Sequence, residues 1–406
     1  MKKIINFFLV FSVLTISLTT LLVYVGAEEY NDYHYSVYNN EATLLSYNGY
    51  DSNIVLPSVI KGKKVTSVLL SDSKFVESIS VPEGVVEISI SNYPSLKKIS
   101  LPKSLKRIRS FQLCYSLESI VIPNNVTEID DWAFRECTSL SSVKIGSNVK
   151  RIGSGAFENC RSLKTIKIPN NVTEIGYSAF SKCDKLKSIT LSSKITEISG
   201  DTFGCCSNLT SIDIPKSVKS IGGNAFAECT SLKTVTLHKG LKVIEDGAFQ
   251  NCLALKKIKI PSSVSYIGYY SLGYVYKNND YNNAMSINNN FIIYGTSNSK
   301  ANKYAKEKKI TFISIPDDIT EFQKNISDNS AKLTWKTDND AKGYIIQKYS
   351  NKKWEEVTNI TNKDTNTYTI KNLSSKTTYT YRIMAYKKQG ATIITGTAMK
   401  FTITTK

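Results

Sequence analysis

The sequence predicts two architectures in series: a repeat solenoid of mainly short parallel strands with helical turns, then an all-β sandwich of two sheets. Three observations carry this expectation. Cys114, Cys137, Cys160, Cys183, Cys206, Cys229 and Cys252 recur every 23 residues, and Phe111 to Phe249 and Leu117 to Leu255 keep the same step. The period stops at Pro316, beyond which short alternating runs are separated by polar turns. The composition suits folded domains: 41% of the 406 residues are hydrophobic, too many for wholesale disorder. With 20 Gly and 9 Pro it is no collagen-like or linker protein. Two histidines, His34 and His238, far apart in sequence, argue against His-based metal sites and against a His-dependent triad.

In chain order, Lys2 and Lys3 precede an apolar run from Ile4 to Val25, which meets Val25-Gly26-Ala27 and then Glu28-Glu29. That order of basic, apolar and small residues is expected of a secretory signal peptide over 1–27, cleaved after Ala27. An uncleaved segment would be the chain's one route to a membrane. Next come a capping segment over 28–56 and repeats over 57–273. The early units are looser, with Pro57, Pro82, Pro102 and Pro123 unevenly spaced. An Asn-rich insertion and C-terminal cap are expected over 274–315, and the sandwich over 316–406. The insertion, Lys277 to Asn290, follows Tyr266, Tyr269, Tyr270, Tyr274 and Tyr276. Its composition suits a disordered surface loop, and Tyr/Asn-rich patches are also typical of binding loops.

The physics of one coil is simple. A 23-residue unit cannot bury its apolar residues alone, so coils must stack like over like. Leu186-x-x-Ile189-x-Leu191 reads as a strand, with Ile189 and Leu191 inward and Thr190 outward. Val172-x-x-Ile175 reads as a second short extended segment. Ala179-Phe180-x-x-Cys183-x-x-Leu186 has a spacing of three and predicts a helical or 3₁₀ turn. Each coil should advance about 4.8 Å.

These residues resemble the BspA-like leucine-rich repeat family, also called the Treponema pallidum type. Its strand, Pro, V-x-x-I-G step and A-F-x-x-C stand almost residue for residue in the units from Pro123 to Ile260. Tyr33 to Val68 resembles the family's N-terminal cap. Phe291 to Ser314 resembles its C-terminal cap, a helix and a last strand, with Ala301, Tyr304, Ala305 and Lys308 on one helical face. Residues 316–406 resemble a fibronectin type III domain, an immunoglobulin-like sandwich. Trp335 matches its core Trp, and Tyr379 after Leu373 matches its tyrosine corner. Lys376 stands where that family often has Gly.

The search for chemistry mostly ends in structural readings. Cysteines in register point the same way, not at each other, so the seven are expected to be a buried thiol ladder, with Cys205 a lone insertion. A linear ladder also disfavours tetrahedral zinc. Asp130-Asp131, Asp317-Asp318 and Glu355-Glu356 sit at segment edges or in turns. No P-loop, EF-hand or nucleophile elbow occurs. No enzyme, cofactor or metal is therefore expected. Asn-x-Ser/Thr at Asn125, Asn171, Asn208, Asn325, Asn359 and Asn372 predicts no glycans if the chain is bacterial, as the resemblance implies.

Charge is the remaining lead, at +18 overall. Lys164, Lys187, Lys233 and Lys256 share one register. Lys144, Lys167 and Lys259 share another, outward on the strand, where Asp213 breaks the row. A solvated face explains such rows; so does an electropositive strip for acidic glycans, anionic wall polymers or an acidic protein. Nucleic acid is not expected, since no aromatics interleave with these lysines. The resemblance implies a secreted or cell-surface bacterial adhesin that attaches to host extracellular-matrix or cell-surface proteins or to other bacteria; the expected arrangement is recognition through the repeat face, with the sandwich as spacer. The alternative is a carbohydrate- or cell-wall-binding accessory protein without catalysis.

Overall fold

The computed structural model describes residues 27–276 and 284–406. The expected signal segment through Gly26, and Asn278, Asn279, Asn282 and Asn283 of the insertion, lie outside the described residues. No described helix is long and apolar enough to cross a membrane. The chain is a repeat solenoid followed by a β-sandwich. It divides between Leu163 and Lys164 into two compact units.

The first unit starts with antiparallel strands. Glu28–Tyr30 pairs with Tyr33–Tyr38, which pairs with Glu41–Tyr47. The pairing then turns parallel through Lys63–Ser71, Glu87–Ser91, Arg107–Ser110, Glu128–Ile129 and Arg151–Ile152. Register places Val68, Ile88, Ile108, Ile129 and Ile152 in one line, and all five are fully buried. A second parallel ladder joins Asn53–Val55, Ser78–Ser80 and Lys98–Ser100. Parallel pairing follows from the coil: each strand returns to the same edge running the same way.

The second unit repeats the scheme. Thr165–Lys167 pairs with Ser188–Thr190, and Ser211–Asp213 with Thr234–Thr236. Glu197–Ile198, Ser220–Ile221, Val243–Ile244 and Tyr266–Ile267 form the second ladder. The expected inward and outward sense of the strand holds, with Leu191 buried, Thr190 exposed and Ile189 part-buried. Tyr274–Tyr276 and Met285–Ile287 form an antiparallel hairpin at the two ends of the Asn-rich segment, so part of that predicted loop is strand. The last coil is closed by Ile292–Gly295, the helix α1 (Lys300–Glu307) and Thr311–Ser314. Ser299 caps α1 by accepting from the Asn302 N–H, and Ala301, Tyr304 and Ala305 are its buried face.

Of the two expected turn types, the α-helical one is not formed. Ala179 to Leu186 forms tight turns with no helix. Ser178 and Lys182 have positive φ, 54° and 58°, which no right-handed helix tolerates. The hydrogen bonds explain the spacing. The N–H groups of Ala179, Ser181, Cys183 and Leu186 bond three residues back. Those of Ser178, Phe180 and Lys182 instead donate to Gly200, Thr202 and Gly204 of the next coil. A spacing of three thus arises from turns locked between coils.

The core is a set of ladders. Within the first unit Phe111, Phe134 and Phe157 stack at 5.3 and 5.1 Å. Within the second, Phe180, Phe203, Phe226 and Phe249 stack at 5.7, 5.2 and 5.1 Å. The cysteine thiols bond to the backbone of the phenylalanine ladder. Those of Cys206, Cys229 and Cys252 donate at 3.2 Å to the carbonyls of Phe180, Phe203 and Phe226, one coil back. The seven in-register thiols are buried and Cys205 is half-exposed. Burial pushes the Cys114 thiol up to about 12 and raises Cys137, Cys206, Cys229 and Cys252 well above the ordinary value.

Residues 316–406 pack two antiparallel sheets. One joins Gln323–Ile326, Ala331–Thr334 and Thr367–Ile370. The other joins Lys353–Ile360, Gly343–Ser350, Thr378–Gln389, Thr392–Thr395 and Met399–Thr404. Trp335, Tyr344, Ile346, Tyr381, Ile383 and Ile403 fill the space between. The tyrosine corner is present: the Ser374 N–H donates to the Tyr379 hydroxyl at 2.9 Å. Lys376 adopts φ of 52°, the left-handed conformation that favours Gly there.

Candidate binding surface

The repeat strands turn their middle residue inward, buried or part-buried, and expose most of their ends. Thr165 and Lys167 are exposed about buried Ile166, and Ser211 and Asp213 about buried Ile212. Stacking turns this into rows of Ser, Thr, Lys and Asp on an exposed sheet face. The row one residue earlier is fixed by the backbone. The Lys187 N–H donates to the Lys164 carbonyl at 2.9 Å, Thr210 to Lys187 at 3.3 Å, and Lys233 to Thr210 at 2.9 Å. Lys164, Lys187 and Lys233 therefore project from consecutive positions of one line, with Thr210 filling the gap. All three are exposed, as is Lys167.

The remaining predicted lysines fare differently. Lys144 is exposed in the first unit, in the strand Ser142–Lys144 beside exposed Val121. Lys256 folds back so that Nζ donates to the Leu253 carbonyl at 2.9 Å. Lys259 does not extend the outward row. Its ammonium meets Asp318 at 3.3 Å and the Thr397 hydroxyl at 2.6 Å, both in the sandwich. Asp213, which breaks the row, holds His238 Nε2 at 2.7 Å. The cation at the sandwich end of the row is thus committed inside the molecule. Ser262 adds a hydrogen bond to Asp317 at 2.7 Å, and the Ser297 N–H one to Asp340 at 2.6 Å. A polar cleft of about 440 Å³ beside this junction is lined by Lys239, Lys336, Asp338 and Asp340.

A second exposed feature lies on the short strands of the second ladder and the turns that follow them. Tyr177, Tyr266, Tyr269 and Tyr270 are all exposed. The Tyr177 hydroxyl donates to Asp201, and Tyr266 to Asp246 at 3.4 Å. Tyr177 lies over Gly200, where a Cβ would approach its ring to 2.9 Å, so the glycine makes room for the tyrosine. Tyr177 and Tyr269 occupy one register of the 23-residue period, which could have revealed them in the sequence. Among the described residues, no group of three His, Cys, Asp or Glu side chains is placed to hold a metal.

Comparison with known proteins now settles the family. The BspA type Leucine rich repeat region matches in six copies, over residues 63–183, 107–219 and 196–334. The chain belongs to this family. The fibronectin type III domain matches residues 316–397. Both are generally protein-interaction modules and not known enzymes. Similar solved structures include a leucine rich cell surface protein from Faecalibacterium prausnitzii. It is 23% identical over 71% of this chain and 94% of that one, with a TM-score of 0.38. The pneumococcal vaccine antigen PcpA is 18% identical over 71% and 98%, with a TM-score of 0.44. The T. pallidum leucine rich repeat protein is 21% identical over 60% and 99%, with a TM-score of 0.35. No curated protein matches significantly.

Proposed function

We propose that this BspA-type protein is a secreted or cell-surface bacterial adhesin without catalytic activity. It recognises host or bacterial macromolecules, host extracellular-matrix or cell-surface proteins first, through the strand-bearing face of its repeats. The supporting observation is the row Lys164, Lys187 and Lys233, spaced by coil-to-coil hydrogen bonds and flanked by exposed Ser and Thr. A fixed line of cations suits an extended acidic partner better than scattered surface charge does. The signal-like residues 1–27 support export, and the thiols are buried rather than offered for chemistry.

The test is binding of residues 28–406 to intact host epithelial cells at 50 mM and 500 mM salt. The unaltered chain is compared with Lys164→Glu/Lys187→Glu/Lys233→Glu. Saturable binding that fades with salt and falls at least tenfold in the triple variant is expected. Binding that ignores both salt and the substitutions would overturn the assignment of the site. No binding to any host cell, with binding to bacterial wall polymers instead, would overturn the adhesin reading.

A further inference from the structure

We propose that the sandwich is more than a spacer: the outer face of its larger sheet binds a carboxylate-bearing saccharide. The sheet has an inner face of Tyr344, Ile346, Tyr381, Ile383 and Ile403. Side chains alternate across a strand, so Gln347 and Tyr349, Thr380 and Arg382, and Lys400 and Thr402 face outward. Register then sets their order. Gln347 pairs with Glu356 on one side and Arg382 on the other, and Arg382 pairs with Lys400. Arg382 and Lys400 are therefore like charges directly opposite each other, an arrangement that destabilises a sheet.

Neither cation has a carboxylate partner among the described residues. Both lie instead on one aromatic ring. The Arg382 guanidinium carbon is 4.5 Å from the Trp354 centroid, and Lys400 Nζ is 5.7 Å from it. Gln347 Oε1 accepts from Arg382 Nε at 2.7 Å, so the guanidinium plane is fixed from two sides. Its terminal nitrogens remain for a ligand. Lys324 adds a third cation nearby, its ammonium bonded to the Thr402 carbonyl.

A planar fork held on a ring beside a second cation matches a carboxylate in geometry and charge. The surroundings favour a sugar over an acidic peptide. Tyr349 is exposed with its ring 5.1 Å from Trp354, Thr402 is exposed and Thr380 part-exposed. Hydroxyls, an amide and an aromatic ring at one cationic spot can engage the hydroxyls and apolar face of a uronic acid.

The experiment uses the whole chain and isothermal titration with oligogalacturonate at low salt. Methyl-esterified oligogalacturonate, which lacks the charge, and poly-glutamate are the comparison ligands. Oligogalacturonate should bind, the ester at least tenfold more weakly, and Arg382→Gln/Lys400→Gln should lose tenfold or more. The same double variant should melt close to the unaltered chain, because relief of the repulsive pair offsets the loss of the contacts with Gln347 and Trp354. Lys164→Glu/Lys187→Glu/Lys233→Glu should leave this binding within twofold, which separates it from the repeat surface. Equal binding of ester and acid, no effect of the double variant, or tighter binding of poly-glutamate would each overturn the proposal.

Discussion

The repeats and the sandwich bury the same kinds of residue by opposite strategies. In the repeats a buried side chain meets its own kind one coil away, as Phe203 meets Phe180 and Phe226. In the sandwich, buried partners differ in type, as Trp335 meets Tyr344 at 5.2 Å. A ladder core concentrates one chemistry, so its weaknesses repeat as faithfully as its contacts. A mixed core spreads them. The difference should be measurable within a single chain.

The largest effect is expected in alkali. Unfolded thiols ionise near pH 8.5, whereas burial pushes Cys114 up to about 12 and raises Cys137, Cys206, Cys229 and Cys252 well above the ordinary value. Below pH 8.5 both states keep these protons and stability is complete. As pH rises from 8.5 towards 12 the unfolded state sheds protons that the folded state holds, so stability falls. Each such thiol contributes a slope of about 1.4 kcal/mol per pH unit. The sandwich has no cysteine, and its Tyr344 and Tyr381 phenols are raised above 10 by burial. Urea midpoints at pH 8 and pH 10 should therefore fall steeply for the repeats and hardly for the sandwich. Far-UV circular dichroism would follow the repeats, and fluorescence of a Trp132→Phe/Trp354→Phe chain would follow Trp335. Parallel loss in both regions would refute the thiol ladder as the cause.

Phe203→Ala should come next. The ring is fully buried between two stacked neighbours, so its loss should cost about 3–5 kcal/mol. Repeat stability is a sum of nearest-neighbour terms, so the coils on either side should unfold in separate transitions. The Trp335 signal of the sandwich should keep its midpoint. A single shared transition would mean that the two regions are one cooperative unit.

What was legible in the sequence follows the same contrast. The period revealed Phe111 to Phe249 and Cys114 to Cys252 as one core, because stacking repeats a contact as often as it repeats a residue. It left Ala179 to Leu186 open between a helical and a 3₁₀ turn, since turns locked between coils also space apolar residues by three. For the sandwich, Trp335, Leu373 and Tyr379 were readable by position, while the pairing of Arg382 with Lys400 was not. That pairing depends on strand register, set by turns whose geometry a single sequence leaves open. Lys259 was read as a free strand cation for a related reason: Asp318, its partner, lies outside the period.

Tyr379→Phe should have a moderate effect confined to the sandwich. It removes the acceptor of the Ser374 N–H, worth about 0.5–1.5 kcal/mol. Lys376→Gly should act in the opposite direction. A side chain at φ of 52° costs about 1–2 kcal/mol, and the entropy that glycine adds to the unfolded chain offsets about 0.4–1 kcal/mol of the relief. Both changes should move the Trp335 midpoint and leave the repeat transition in place. A shift in the repeat transition would show that the corner supports more than its own sheet.

The smallest expected effect separates a tethered lysine from a free one. Lys259 and Asp318 are each about a third exposed, so water screens their attraction, and such pairs contribute about 0–1 kcal/mol. Lys259→Ala should lower the midpoint by an amount within that range, and 1 M NaCl, with a Debye length of about 3 Å, should weaken the difference. Lys187, exposed on the repeat face, has no such partner, and Lys187→Ala should stay within about 0.5 kcal/mol of the unaltered chain at any salt. Binding should rank them the other way: Lys187→Ala weakens cell binding and Lys259→Ala does not. If Lys259→Ala weakened binding as much as Lys187→Ala, its ammonium would have to leave Asp318 for the partner, and the row would regain its last cation.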